Sequence, residues 1–399
     1  MELMLQFGWG MMEHCRLLVR HWGGGTVILS PRDLSAQQMG TLAADLSSVG
    51  GSVLLDPQLY VPDGAHPRLI AHAFWPRRPD YWRDPNELSR VIDELLEANA
   101  ACGTAQIICP SPFASIINDD SLQSVSGAIE ELGRRGIGPD RILATLALSS
   151  DAIRNEDRAE MLSDAIEGWD VGGIYLIAEH PSGEYLVTDP MWVARTLDIV
   201  AGARLVGKTV VIGYCSHQML VAASAGATAI ASGSWLNVRK FSPTRFDPAD
   251  EDEISRRATW YYAPHLLSEF KIPFLDIAWR LGQLPALQAP ATIDGSFAAA
   301  LFSGAQPTTV DFGESSAFRH YLHCLGQQVS TARQPTYQET TLEHERLLAA
   351  AETGLTALRR ARIVSQDRGF LDAAAANSAA LALLGATRGP ILSREWTSI

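Results

Sequence analysis

Apolar runs of four to eight residues alternate with longer amphipathic stretches over the first 242 residues. The runs are residues 3–7, 26–29, 52–55, 105–109, 141–148, 173–178, 209–212 and 228–231. Several are near-continuous in aliphatic side chains, as strands buried on both faces are. The stretches between them have helical spacing: residues 11–20, 35–46, 87–98, 121–134, 155–168, 189–203 and 219–225. Eight strands alternating with helices predict an α/β fold, a (β/α)8 barrel of the TIM type, over residues 1–242. An open doubly wound sheet is the competing arrangement. No G-x-G-x-x-G follows any run, so the dinucleotide-binding form of that sheet has no support.

The alternation breaks in two places. Residues 59–84 are rich in Pro, Arg and aromatic side chains, among them Tyr60, His66, His72, Phe74, Trp75, Tyr81 and Trp82. A long aromatic loop inside a regular repeat reads either as a lid over a site or as an insertion packed on the barrel wall. From residue 243 onward the strand pattern is lost. Residues 251–270, 308–333, 341–362 and 370–384 look helical, with Pro273, Pro285, Pro290 and Pro307 between the pieces. Residues 243–399 are therefore expected to form a mainly α-helical extension, covering the barrel mouth or making a homodimer or other protein contact.

In a barrel the residues that follow the strands converge on one face, where the chemistry of such folds sits. Here they include Asp56, Gln58 and Tyr60, then Glu179 and His180, then Tyr214, Ser216, His217 and Gln218, then Ser232, Gly233, Ser234, Asn237 and Arg239. Asp56, Glu179, His180 and His217 are the candidates for acid–base or nucleophilic work. No His-x-His or Glu-x-x-His spacing selects a metal set, and no G-x-S-x-G elbow supports a serine triad. Gly213 and Gly233 fall where barrel phosphate sites often lie, though the match is short.

Composition narrows the classes. The formal net charge is −13, which weighs against avid non-specific nucleic-acid binding. The five cysteines are scattered, without zinc-ligand spacing, and their odd number argues against a disulfide framework. No run is long enough to span a membrane and the N-terminus lacks a basic n-region. The expectation is a cytoplasmic protein with no bound metal or other cofactor.

The stretch from Gly213 to Arg239, with Ala-Gly-Ala-Thr before its second strand and Asn237-Val238-Arg239 after it, resembles the distal part of tRNA-guanine transglycosylase-like barrels. Asp56-Pro57-Gln58, Gly172-Gly173-Ile174 and Arg319-His320-Tyr321-Leu322 match that family in the same order. The resemblance implies a base exchange on a nucleobase, nucleoside or nucleic acid through a glycosyl–carboxylate intermediate. Asp56 would be nucleophile or base, Gln58 would read a base edge, and Gly173 would lie under the base. Glu179 and His180 would be acid–base partners, and the aromatic loop would stack the base. The chain departs from the family in three ways. Ala231 stands where the nucleophilic Asp would fall, the cysteine-rich zinc site is absent, and Pro57-Gln58-Leu59-Tyr60 replaces a glycine-rich turn. Two other readings follow from these departures. One is a non-catalytic barrel subunit of a nucleic-acid-processing or defence complex; the other is a barrel lyase or isomerase acting on a phosphorylated small molecule. Carboxylates converging at the mouth within hydrogen-bond reach would favour an enzyme, and a mouth plugged by Trp and Phe would favour the structural role.

Overall fold

The computed structural model describes residues 1–64, 66–248, 258–363 and 368–399. All eight apolar runs form strands: β1 (Glu2–Gln6), β2 (Gly25–Leu29), β3 (Gly51–Leu55), β4 (Ile107–Ile108), β5 (Ile142–Leu148), β6 (Gly173–Ala178), β7 (Thr209–Gly213) and β8 (Ala229–Ser232). They pair in parallel in the order β3-β2-β1-β8-β7-β6-β5-β4. The pairing of the first strand with the last is what bends such a sheet into a barrel. One seam, between β3 and the two-residue β4, has no ladder among the described residues. Its C-terminal end is tied by Phe113 N–H, which donates to Tyr60 O at 2.9 Å.

Strand periodicity sorts the side chains into two cores. Met4, Ile28, Leu54, Ile108, Leu143, Tyr175, Val211, Ala229 and Ala231 meet inside the barrel. Their sequence neighbours Leu5, Val27, Leu29, Val53, Leu55, Ile174, Leu176, Val210, Ile212 and Ile230 face the helices. Those helices are α1 (Met12–Trp22), α2 (Ala36–Ser47), α3 (Pro85–Cys102), α4 (Asp119–Arg134), α5 (Ser150–Arg154), α6 (Ala159–Gly168) and α7 (Pro190–Leu205). The helix expected over residues 155–168 is thus broken into pieces. The Ala-rich stretch between β7 and β8 is a 3-10 turn, His217–Ala225, rather than an α-helix. Every residue in it is buried, because α7 and the C-terminal helices close over it.

The extension differs from expectation at its start. A helix over residues 251–270 is not formed in its described part. Instead β9 (Trp260–Ala263) and β10 (Ser268–Lys271) make an antiparallel hairpin; residues 251–257 lie outside the described residues. The physical reason is local. Trp260-Tyr261-Tyr262 is a strand-forming triplet, Pro264 stops a helix, and Leu267 turns the chain with a φ of +48°. The remainder is helical: α8 (Ile272–Arg280), α9 (Glu314–Ala332), α10 (Tyr337–Arg360), α11 (Leu371–Thr387) and α12 (Gly389–Glu395). Helix α9 lies against β1 and α1, the flank that a barrel's eighth helix would cover. Trp22 Nε1 donates to His323 Nδ1 across this joint at 3.0 Å. No described helix is long and apolar enough to cross a membrane.

Gly173 opens β6, at the end of the strand away from the mouth. A Cβ there would come within 2.1 Å of Thr209 Oγ1 and 2.8 Å of Leu143 Cδ2. Its lack of a side chain lets β6 and β7 pair, and that is the use the fold makes of it. Gly173→Ala is expected to destabilise the protein by about 1–3 kcal/mol. Urea denaturation measures this, and an unchanged midpoint would show that the strands can part without cost.

Candidate functional site

The barrel centre is a carboxylate held by hydroxyls. Asp56 follows β3 and is fully buried. Its Oδ1 accepts from Tyr60 OH at 2.6 Å and from Gln58 N–H at 3.0 Å. Its Oδ2 accepts from Tyr214 OH at 2.8 Å and from Tyr175 OH at 3.3 Å. A carboxylate has about four acceptor positions, so this one is filled by its own chain. The Tyr175 proton is shared with Gln6 Oε1 at 3.1 Å. Gln6 Nε2 is buried without a partner among the described residues. Burial pushes the Asp56 carboxyl up to about 6, and the tyrosine hydroxyls and the Gln58 N–H hold it from rising further. No Lys or Arg side chain bonds to it among the described residues.

Two backbone positions and one glycine build this arrangement. Gln58 and Tyr214 have φ of 57° and 50°. Such angles are uncommon for residues with side chains, and they occur at sites where surrounding structure over-determines the backbone. Both side chains enter the network: Gln58 Nε2 donates to Tyr214 OH at 2.7 Å and to Ser30 Oγ at 2.9 Å. Gln58 Oε1 accepts from Arg32 N–H at 2.9 Å. The base-reading edge expected of Gln58 is therefore spent inside the protein. Gly213 leaves room for Tyr175, whose ring would lie 2.6–2.8 Å from a Cβ there.

Aromatic side chains roof the cluster. Tyr60, Tyr214, Phe241 and Phe246 are buried edge to face, and Phe113 packs against Phe241. The loop of residues 59–84 is thus an insertion packed on the barrel in its described part. Tyr60 plugs the mouth, and His72 stacks on Phe74 while its Nε2 faces the carbonyls of Pro31 and Leu34.

The other expected acid–base groups stand elsewhere. Glu179 Oε2 accepts from Ser150 N–H at 3.1 Å, at the start of α5. His180 is buried against Trp192 and its Nδ1 faces Glu184 O at 2.9 Å. His217 packs among Tyr185, Tyr262, Tyr321 and Phe370. Burial holds both histidines down at about 4, so they are neutral at physiological pH. Among the described residues, Asp56, Glu179 and His217 share no hydrogen-bond partner. Each follows a barrel strand, but the loops carry the latter two outward to the helices and the extension.

A second buried cluster fastens that extension. Arg239, after β8, reaches Glu269 of β10 at 3.1 Å, and Arg368 reaches the same oxygen at 3.0 Å. Tyr185 OH donates to Glu269 Oε1 at 2.7 Å, and the Arg239 guanidinium lies 3.4 Å from the Tyr321 ring centroid. Burial pushes the Glu269 carboxyl up, but Arg239 and Arg368 outweigh it and hold it down at about 2. Sequence spacing gives no sign of this cluster, because its members come from distant segments. Gln6 and Tyr175 were legible only as polar interruptions of apolar strands.

The remaining candidates are also occupied. A Cβ on Gly233 would meet Gln6 O at 2.4 Å and Val238 Cγ2 at 2.5 Å, and its carbonyl accepts from Arg239 Nε at 2.8 Å. Gly233 is thus packed closely against β1 and Val238. Ser232 and Ser234 are buried beside it. Ser216 caps the 3-10 turn by accepting from Gln218 N–H at 3.3 Å. The Gln218 amide pairs with both backbone groups of Val187 and with Asn377. The Asn237 carbonyl accepts from Arg245 Nη1 at 2.7 Å. Among the described residues, His21, Asp294 and His323 lie close enough to share a cation. The tautomer does not suit one: Trp22 N–H points at His323 Nδ1, so the proton sits on Nε2 and is donated to Asp294 Oδ2 at 3.1 Å.

Two measurements test the electrostatics. The folded-state pKa of Asp56 lies above its unfolded value near 4. The native state therefore holds the proton more tightly between these values, and stability falls as pH rises from about 4 to 6. Asp56→Asn should remove this component, read as the pH-dependent difference between the two proteins in urea midpoints. Parallel curves would mean that Asp56 titrates normally. Glu269 acts in the opposite sense, with stability present above its unfolded pKa and lost as pH falls towards 2. Glu269→Ala leaves the buried Arg239 and the half-buried Arg368 without their carboxylate and should cost about 3–5 kcal/mol.

No family model matches the chain, and no curated protein does. Solved structures share a loose likeness. A xylose isomerase-like TIM barrel/4-hydroxyphenylpyruvate dioxygenase fusion protein is 16% identical, with 63% of this chain and 41% of that one covered, at a TM-score of 0.35. The carboxyl transferase domain from Rhizobium etli pyruvate carboxylase is 10% identical over 96% of this chain and 60% of its own, at 0.33. A probable tagatose 6 phosphate kinase from Sinorhizobium meliloti 1021 is 11% identical over 96% and 98%, at 0.35. The chain thus spans about two-fifths and three-fifths of the first two. Scores this low carry no argument about function, and none of these names concerns tRNA or base exchange. What is established is the barrel itself, from its strand order.

Proposed function

We propose that this chain is a barrel protein that does not perform base exchange and acts through its surface, as the non-catalytic barrel of a larger assembly. The observation that carries this reading is the state of Asp56. Its acceptor positions are filled by the chain's own groups, and Tyr60, Phe113, Phe241 and Phe246 close the space above it. A reacting carboxylate needs a free lone pair facing a vacant space. Ala231, at the position the transglycosylase resemblance reserves for the nucleophile, is buried inside the barrel and brings no carboxylate. A nucleic acid as ligand of the barrel mouth is not favoured by a net charge of −13. What links the protein to nucleic-acid processing is the sequence resemblance alone.

One observation favours a second reading, a barrel lyase or isomerase on a small molecule. Asp56 is buried with no bonded cation, at the strand ends where barrels work, and two residues bonded to it carry left-handed backbone angles. In that reading the aromatic roof opens and Asp56 takes a proton from the substrate.

Thermal melting with guanine, adenine and sugar phosphates separates the two. The non-catalytic reading expects no ligand whose stabilisation depends on Asp56. A rise in melting temperature of more than about 2 °C that is lost in Asp56→Asn would overturn it and support the small-molecule enzyme. Incorporation of labelled guanine into tRNA would restore the transglycosylase reading.

A further inference from the structure

On the flank of the barrel, α5, α6 and α7 surround a cavity of about 230 Å3. Its walls are aliphatic: Ile153 of α5, Leu162 and Ile166 of α6, Ile199 and Ala203 of α7, and Ile117 ahead of α4. Charged groups stand among them, and they are unequally paired. Asp198 and Arg388 neutralise each other, with Arg388 Nε donating to Asp198 Oδ1 at 2.7 Å. Arg195, one turn before Ile199 on α7, also lines the cavity. Its single ion pair among the described residues is to Glu156, whose Oε1 lies 2.5 Å from Nη2. The Glu156 side chain is 78% exposed, and an ion pair of that kind is weak. The Arg195 Nε is buried with no acceptor among the described residues. Glu160 and Asp164, one turn apart on α6, line the cavity as well, and neither is in an ion pair among the described residues.

Beyond the Asp198–Arg388 pair, the cavity offers one cation with unmet donors, two anions without a cation, and an aliphatic wall. A guanidinium favours a carboxylate. The two carboxylates favour an ammonium group and repel a ligand that is only anionic. The wall favours an aliphatic chain. The volume is below about 300 Å3, where sites for drug-sized ligands begin, so the ligand is small. A zwitterion with an apolar chain carries all three features on adjacent atoms. We propose that this cavity binds a free α-amino acid with an aliphatic side chain. Its carboxylate lies on Arg195, its ammonium group at Glu160 or Asp164, and its side chain among Ile153, Leu162 and Ile199. The site uses none of the Asp56 network, so it stands or falls separately from the reading of the barrel centre.

Isothermal titration of the full chain with leucine, isoleucine, valine and methionine tests it. At least one should bind with a dissociation constant below about 1 mM. The amide of the best binder, the acid that lacks its amino group, and glycine should each bind about tenfold or more weakly. Arg195→Gln should lower the affinity about tenfold, and so should the double change Glu160→Gln with Asp164→Asn. Melting curves check that the variants fold. The double change is at exposed positions and carries the test if Arg195→Gln does not fold. The proposal is overturned if none of the four amino acids binds by about 10 mM. It is equally overturned if glycine or either analogue binds as well as the best amino acid, or if the affinity is unchanged in either folded variant.

Discussion

A carboxylate inside a barrel has to be satisfied by donors that the barrel itself supplies, and this requirement organises the catalytic-type end of the molecule. Burial of Asp56 without hydrogen bonds would cost several kcal/mol. Three tyrosines from three loops or strands answer it, and each needs its own accommodation. Tyr175 needs Gly213 opposite it. Tyr214 needs a left-handed backbone, and so does Gln58, which orients it. Tyr60 needs the aromatic insertion that begins with it. Once these are in place the mouth is full, and the roof of phenylalanines follows from the apolar edges that the tyrosine rings leave.

The second constraint is the missing last helix. A strand such as β1, apolar on its outer face, must be covered there as well as inside. Among the described residues that follow β8 the chain makes short turns, and α9, much further along the chain, lies against β1 and α1. The extension is therefore part of the barrel's own core. Its docking is fixed by Glu269, set between Arg239 of the barrel and Arg368 of the extension. A buried ion pair adds little net stability against an apolar equivalent, but it penalises misplacement strongly. That property suits a joint between distant segments.

These two constraints act on how the strand-end polar residues are held. His217 and Arg239 are drawn outward to meet the extension, Glu179 turns to the start of α5, and the loops after β3 and β7 supply the loop groups bonded to Asp56.

The sequence by itself determined the eight strands, because their apolar runs are short, bounded and regularly spaced, and strand β6 is found with the very ends expected of it. It also marked Asp56, Gln58, Tyr60 and Tyr214 as neighbours of strand ends, and these four do meet. It did not determine which way a loop side chain turns, since position after a strand sets a residue's height on the barrel but not its direction. Residues 260–271 paired as a hairpin where helix was expected, because the aromatic-rich run Trp260–Ala263 and the segment Ser268–Lys271 satisfy each other's backbone. Tertiary structure alone decided the partners of Glu269, the outward turn of His217 and the closure of the mouth. The physical reason is common to all three: hydrogen bonds and ion pairs act over a few ångströms, and only the folded chain brings residues as far apart as Asp56 and Tyr214, or Arg239 and Arg368, within that range.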